Sequence, residues 1–240
     1  MTKISIRPSD RVFVLTGAGI SAESGLATFR ASDGLWAGHR IEDVCTPEAL
    51  ERNPWLVWKF YSERRAQCAK VEPNPGHIAL AKLEAEIADR FFLCTQNVDD
   101  LHERAGSNRL VHMHGELAKS RCEDECGQPP VEDRSVYNSL EEVTRCVCGA
   151  RLRPHICFFG EMPFDMPRIE REITKSTMMV VIGTSGSVYP AASFVNWARQ
   201  GGAQTIYIGP EHPLNASAFT TIVEGKAGEV MPGLFEVEQR

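Results

Sequence analysis

The sequence predicts an α/β fold, a parallel sheet interrupted by two insertions. Three observations predict it. Short apolar runs (Val12-Phe13-Val14-Leu15, Phe91-Phe92-Leu93-Cys94-Thr95 and Met178 to Ile182) have the length of buried strands and recur between helix-like segments. The first run turns at Gly17-Ala18-Gly19 into a segment able to start a helix, with Ala22 where a third glycine often sits. The alternation then lapses twice, over residues 31–76 and again from about His114 to Arg153.

The first unit, strand, glycine turn and helix start, is the usual cradle for a dinucleotide pyrophosphate. Glycines let the backbone approach, and unpaired N–H groups with the helix dipole favour negative charge. Its continuation, Ser24-Gly25 and Thr28-Phe29-Arg30, has no role in an ordinary dinucleotide fold. After a loop with Asp33-Gly34-Leu35-Trp36, Asn53-Pro54 supplies a cap and a first-turn proline. The helix that follows carries Trp55, Val57, Trp58, Tyr61 and Arg64 and should end before Pro73 and Pro75. A dehydrogenase would place a strand with an acidic ribose ligand about 20 residues after the glycines. Glu42 and Asp43 fall in what reads as a polar loop, which argues against hydride transfer.

Alternation resumes with a helix over His77 to Ala88, a strand from Arg90 to Thr95 and a short helix from Leu101 to Ala105 closed by Gly106. Arg109 to Met113 reads as a strand ending at His114-Gly115. Beyond the polar stretch come a strand at Ile156-Cys157-Phe158-Phe159, a helix from Met166 to Ser176 and a strand from Met178 to Ile182. A helix from Pro190 to Arg199 and a strand from Thr205 to Ile208 follow. Neither internal repeats nor low-complexity tracts interrupt this order.

The length of 240 residues allows one sizeable domain with a smaller insert. The net charge of −6 argues against a general nucleic-acid binder and suits a cationic partner such as a lysine-rich peptide. No apolar run approaches the roughly 20 residues a membrane span needs. The N-terminus, MTKISIRPSDR, lacks the apolar core of a signal peptide. A cytoplasmic protein is therefore expected, with its eight cysteines as thiols or metal ligands. Four are scattered. The others form Cys122-x3-Cys126, then 19 intervening residues, then Cys146-x-Cys148, each pair followed by a glycine, Gly127 or Gly149. Two close pairs across a loop suit one tetrahedral Zn²⁺. With four thiolates and no acidic base nearby, such a metal would be structural. Four unligated thiols in an exposed loop is the bland alternative.

Several longer strings carry a resemblance. GAGISAESG-x3-FR, TQNVDDLHERAG, VHMHGEL, the paired cysteines, FFGEMP and GTSGSVYP stand in the order found in the sirtuins, NAD-dependent protein-lysine deacylases. The chain is similar to them from about residue 11 to 231. The resemblance implies a Rossmann-type NAD-binding domain (1–30, 77–117 and 154–240), a helical cofactor-loop module (31–76) and a zinc-binding small domain (118–153). NAD and acyl-lysine would enter the cleft from opposite sides. By position, Gly17, Ala18, Gly19, Glu23, Thr28, Phe29, Arg30 and Trp36 would line the cofactor loop. Gln96, Asn97 and Asp99 would hold the nicotinamide end and its ribose, with Asn97 catalytic beside the general base His114. Gly183, Thr184 and Ser185 would bind the adenosine side, and Ala227 the adenine. Phe159, Gly160, Glu161 and Val188 would flank the peptide and its acyl-lysine. The reaction implied expels nicotinamide and yields O-acyl-ADP-ribose. A histidine, with its pKa near 6.5, suits the base. His112, two residues before His114, is its nearest competitor, and a loop-capping role is the bland reading of Asn97 and Asp99.

Tyr61 and Arg64 stand three apart on one helix face. A phenol and a guanidinium can grip a carboxylate. The class III branch of the family carries Tyr-x-x-Arg here and removes succinyl and malonyl groups, and FYSERR fits that pattern; Arg65 reads as a solvated neighbour. Four features depart from the family pattern: Ala27 where proline is common, Cys45 where class III has alanine, the one-residue gap of the second cysteine pair, and Gly209-Pro210-Glu211 in place of an asparagine-bearing turn, where Glu211 could take over the ribose contact. A mono-ADP-ribosyltransferase using the same site, or a non-catalytic NAD sensor, are the alternative functions.

Overall fold

The computed structural model describes residues 3–27, 29–30 and 35–239, with backbone only at 29–30. Chain order begins β1 (Ile4–Ile6), β2 (Val12–Thr16), α1 (Ala18–Ala22), β3 (Phe29–Arg30), β4 (Leu35–Trp36), β5 (His39–Arg40), α2 (Ile41–Val44), α3 (Pro47–Arg52) and α4 (Pro54–Cys68). It continues with α5 (Pro75–Ile87), β6 (Phe91–Thr95), α6 (Leu101–Arg104), β7 (Leu110–His112), β8 (Gly115–Cys122), β9 (Val131–Glu132) and β10 (Leu152–Ile156). The last part holds α7 (Met166–Lys175), β11 (Met178–Ile182), α8 (Phe194–Gln200), β12 (Gln204–Gly209), β13 (Thr221–Glu224), α9 (Ala227–Val230) and β14 (Phe235–Val237).

Six strands form the main parallel sheet in the order β13-β12-β11-β2-β6-β7. Every residue of β2, β6 and β11 is buried, because helices cover both faces. Val12, Val14, Leu93, Val180 and Ile182 face Leu80, Leu83 and Ile87 of α5. Phe13, Leu15, Met179 and Val181 face Ile169 and Ile173 of α7 and Phe194 and Val195 of α8. The chain runs from β2 out to β7 on one side, then returns to β11 and runs out to β13 on the other. That switch point, between β2 and β11, opens a crevice at the carboxyl ends of the strands.

The first insertion packs Val57, Phe60 and Tyr61 of α4 with Val44, Cys45, Leu117, Ile156 and Phe158. Trp58, on another side of α4, meets Tyr137 and Leu152. The second insertion is a small antiparallel sheet, β10-β8-β9.

Several expected elements differ. Glu42 and Asp43 sit in α2 and not in a loop. The strand expected at 156–159 lies earlier, as β10, and pairs antiparallel with β8 in the small sheet, outside the parallel order. The polar stretch before the cysteines contains β8, an eight-residue strand. The helix expected from Pro190 begins at Phe194, after a 3-10 turn over Ala191–Ser193.

Candidate active site

Three glycines set the crevice floor. Gly17 N–H donates to Ile182 O at 2.9 Å and Gly19 N–H to Gly183 O at 2.8 Å. A Cβ on Gly17 would lie 2.8 Å from Gly183 O, and one on Gly19 2.7 Å from Gly183 Cα. Gly183, at φ +62°, would place its own Cβ 2.5 Å from Ile20 N. The loops after β2 and β11 therefore interlock backbone to backbone, which only glycine permits. This corrects one expectation: the N–H groups of Gly17 and Gly19 brace the two loops together and are not unpaired phosphate donors.

Loops at the ends of β2, β6 and β7 bring the predicted polar residues together. Asn97 Nδ2 donates to Gly17 O and to Ser21 Oγ, both at 3.1 Å. Ser21 Oγ donates to Asp99 Oδ2 at 3.0 Å, and Leu101 N–H to Asp99 Oδ1 at 3.2 Å. Burial pushes the Asp99 carboxyl up, against the hydrogen bonds from Leu101 and Ser21. Asp99 thus also caps the following turn, as its bland reading supposed. Ser21 is a site residue that sequence reasoning missed; it lies inside GAGISAE, and only its fold partners reveal it.

The two histidines after β6 differ in state. His112 Nδ1 lies 2.8 Å from Asn97 O and Nε2 lies 2.7 Å from Glu103 Oε1. Both partners accept when Glu103 is ionised, which favours a proton on each ring nitrogen. Burial lowers the His112 pKa, but the Glu103 hydrogen bond and charge outweigh it and the net direction is up. His114 Nδ1 lies 3.1 Å from Gln96 O. A carbonyl fixes the proton on Nδ1, which leaves Nε2 with a lone pair. Burial lowers the His114 pKa, opposed by the bond to Gln96 O. The structure therefore separates the two rings, giving the base-competent state to His114.

On the side of α4, Tyr61 is fully buried, and its hydroxyl donates to Cys45 Sγ at 3.3 Å. Its ring stacks on Phe158 at 6.1 Å and meets Trp36 edge-on at 6.0 Å. Arg64 lies over the Phe60 ring, 4.9 Å from its centroid, and Nε and Nη1 are buried without a partner among the described residues. Desolvation lowers its pKa. Arg65 was expected to be solvated and is instead buried. It donates to Leu117 O, Lys119 O, Ser135 O and Ser120 Oγ and pairs with Asp133 at 3.0 Å, tying α4 to the small sheet.

The remaining predicted residues divide. Phe159 N–H donates to Cys45 O at 2.9 Å, placing the loop of Phe159 and Gly160 beside the cluster of Tyr61 and Cys45. The Glu161 carboxylate accepts from Arg153 at 2.6 Å and from Phe158 N–H at 2.7 Å, and pairs with Arg121 at 3.3 Å, so it shapes that loop from within. Ser185 Oγ lies 2.6 Å from Ser187 Oγ, and Val188 O accepts from Ala192 N–H. Thr184 O accepts from the Tyr207 hydroxyl at 3.2 Å. A Cβ on Gly209 would run into that same hydroxyl, which accounts for glycine there, and Glu211 is exposed. Glu23 Oε1 accepts from Gly228 N–H at 2.9 Å, next to buried Ala227. Thr28, the Asp33-Gly34 loop and the side chains of Phe29 and Arg30 lie outside the described residues.

In the small sheet, Cys122 Sγ lies 3.5 Å from Cys148 Sγ and Cys126 Sγ lies 3.6 Å from Cys146 Sγ, with all four sulfurs within 4.8 Å of one another. Tetrahedral zinc at the usual Zn–S length of about 2.3 Å needs sulfurs about 3.8 Å apart. The cluster fits one structural Zn²⁺. Gly127 and Gly149 take φ values of +84° and +93°, as the two tight knuckles require.

A Rossmann-type sheet whose crevice carries this Asn-Asp-His arrangement, with a four-cysteine insert, defines an NAD-binding class that does not use the dehydrogenase ribose carboxylate. The Sir2 family model matches residues 17–190, and the chain belongs to that family. A protein of Shewanella oneidensis named NAD-dependent protein deacylase is 49% identical over 227 residues, covering 94% of this chain and 93% of that one. A protein of the same name from Escherichia coli K12 is 48% identical over 234 residues, covering 94% and 81%. A Sir2 homologue solved with NAD superposes with TM-score 0.85 at 40% identity, covering 95% of this chain and 89% of its own. A Sir2 complex with a p53 peptide and NAD gives TM-score 0.79 at 27% identity, covering 92% and 90%.

Proposed function

We propose that this Sir2-family protein is an NAD-dependent protein-lysine deacylase whose pocket is built for acyl chains ending in a carboxylate. The enzyme class follows from family membership and from relatives named for that activity that match nearly the whole chain. Protein substrates are supported by a neighbour solved with a peptide. NAD would supply a ribose carbon that takes the acyl oxygen as its bond to nicotinamide breaks, and a ribose hydroxyl able to attack the acyl carbon.

In this reading His114 Nε2 removes the proton from that hydroxyl, since Gln96 O keeps the other proton on Nδ1. Asn97 and Asp99 hold the ribose end, braced by Ser21. The interlocked glycines keep the crevice floor low enough for a dinucleotide, and Ser185 and Ala227 would line its adenosine side.

The acyl preference rests on Arg64. A guanidinium with two buried nitrogens and no partner among the described residues is expensive to keep, and a carboxylate is the group that would satisfy it. Tyr61 contributes the wall: its hydroxyl is already bonded to Cys45, so Arg64 leads the recognition. The test is rates on acetyl-, malonyl- and succinyl-lysine forms of one peptide. Arg64→Ala should lower desuccinylation about 10- to 100-fold, the worth of a charge-assisted hydrogen bond, and change deacetylation little. Equal losses on both would sink the carboxylate reading.

A further inference from the structure

Two histidines beneath the crevice are unused by this mechanism. His77 on α5 and His102 on α6 are both fully buried, with ring centroids 4.8 Å apart and edge-on. Each has one ring nitrogen bonded and one without a partner among the described residues: His77 Nε2 and His102 Nδ1. Buried polar atoms are seldom left unpaired.

The bonded nitrogens fix the tautomers. His77 Nδ1 accepts from Asn74 N–H at 3.3 Å, so the His77 proton is on Nε2. Thr16 Oγ1 donates to Thr95 Oγ1 at 2.8 Å and lies 3.0 Å from His102 Nε2. With its own proton committed, Thr16 accepts, so the His102 proton is also on Nε2. The two unpaired atoms are therefore complementary, a donor on His77 and an acceptor on His102. Ser107 Oγ, buried and also without a partner among the described residues, belongs to the loop whose N–H bonds His102 O at 3.0 Å. A donor and an acceptor on rings whose centroids lie 4.8 Å apart are a pair that one buried water can join.

We propose that His77 and His102, joined by one buried water, form a relay that positions Asn97. At one end stands Asn74, whose side chain also donates to Ile20 O at 2.7 Å and Ser24 Oγ at 3.0 Å. From there the relay runs through His77, the water, His102 and Thr16 to Thr95 Oγ1, which accepts Asn97 N–H at 3.0 Å. Helix α5 and the Gly17 turn are thereby tied to the residue that faces the ribose. The inference rests on the role given to Asn97 above. His77 and His102 are positioning residues: they act through Thr16 and Thr95.

Long-range ¹H–¹⁵N NMR of the full zinc-loaded chain tests the relay without activity. Both rings should be neutral Nε2–H tautomers near pH 7, with a contact from the His77 Nε2 proton to a bound water. An Nδ1–H tautomer at either ring overturns the proposal. Kinetics test the positioning. Thr16→Val, which keeps the shape and severs the relay, should lower kcat about 10- to 100-fold, as a small misplacement of a reacting group does. KM for the acyl-peptide should stay unchanged. His102→Gln, which can still donate to Thr16, should recover most of the rate that His102→Leu loses. Equal rates for those two, or a Thr16→Val enzyme with wild-type kcat, refute the relay. A wild-type protein without NAD-dependent deacylation would defeat the proposed function and leave the NMR result to decide this inference.

Discussion

The parallel sheet and the cysteine-bearing insert are held together by opposite means. In the sheet, β2, β6 and β11 are buried along their whole length, and the polar groups among them are neutral hydroxyls and imidazoles. Between Gly115 and Ile156, the buried apolar side chains are few: Leu117, Cys122, Tyr137, Leu152, Pro154 and Ile156 among the described residues. Directional groups substitute for area there. Arg65 pairs with Asp133, Arg153 with Glu161, and four thiols converge on one point. A segment too small to bury its own core depends on contacts that a chelator or one substitution can remove.

The largest effect should come from the metal. Stripping zinc with a strong chelator should open residues 118–153 to hydrogen exchange while β11 and β12 stay protected. Structural zinc contributes about 10–16 kcal/mol in isolated zinc-finger peptides. Loss of protection across both regions together would show that the comparison is drawn too sharply. Next comes the pair of adjacent arginines on α4. Arg65→Ala leaves the Asp133 carboxylate buried without its cation and should cost about 3–5 kcal/mol in urea unfolding. Arg64→Ala, which breaks no hydrogen bond among the described residues and loses only the contact with the Phe60 ring, should cost about 1 kcal/mol or less.

His112 and His114 carry the comparison into pH. His112 is held up by Glu103 in the folded state, so its contribution is full below the unfolded value near 6.5 and fades as pH rises through the folded pKa. Glu103→Gln should therefore destabilise more at acid than at alkaline pH, read from urea midpoints at both. His114 is pushed down by burial, so its contribution is present above about 6.5 and is lost as pH falls through its folded pKa. The acid limb of kcat/KM should accordingly lie below about pH 6.5. A limb above that value would assign the base elsewhere.

How much of this was legible follows from the same contrast. A strand covered on both faces writes a continuous apolar run, so Val12 to Thr16 and Met178 to Ile182 were readable. Strand β8 writes GELAKSRC and buries Ser120 for its bond to Asp133, so its inward face does not look apolar. Strand β10 was expected too late, toward Phe158, because that ring is apolar for its packing against Tyr61 and Cys45 of the first insertion and not for the sheet. Arg65 could not be told from a surface arginine, since its partners lie more than fifty residues away. The candidate site was most legible where a motif itself names polar side chains, at Asn97, Asp99 and His114, whose roles are those proposed above. Ser21, His77 and His102 matter through contacts between distant segments, which no local pattern encodes.

The smallest predicted difference concerns two helix starts with the same dipeptide. Asn53-Pro54 opens α4 beside the insert, and Asn74-Pro75 opens α5 against the sheet. Asn53 Oδ1 accepts from Leu56 N–H at 3.1 Å and does nothing more among the described residues, so Asn53→Ala should cost about 1 kcal/mol. Asn74 Oδ1 accepts from Gly76 N–H at 2.9 Å, while its Nδ2 donates to Ile20 O and Ser24 Oγ beside the Gly17 turn. Asn74→Ala leaves the buried Ile20 carbonyl without that donor, which adds about 1–3 kcal/mol to the lost cap. Urea midpoints should therefore rank Asn74→Ala below Asn53→Ala, and only Asn74→Ala should raise KM for NAD. Equal midpoints would mean that the Asn74 amide contributes only as a cap, and that the glycine turn is held by its interlock with Gly183 alone.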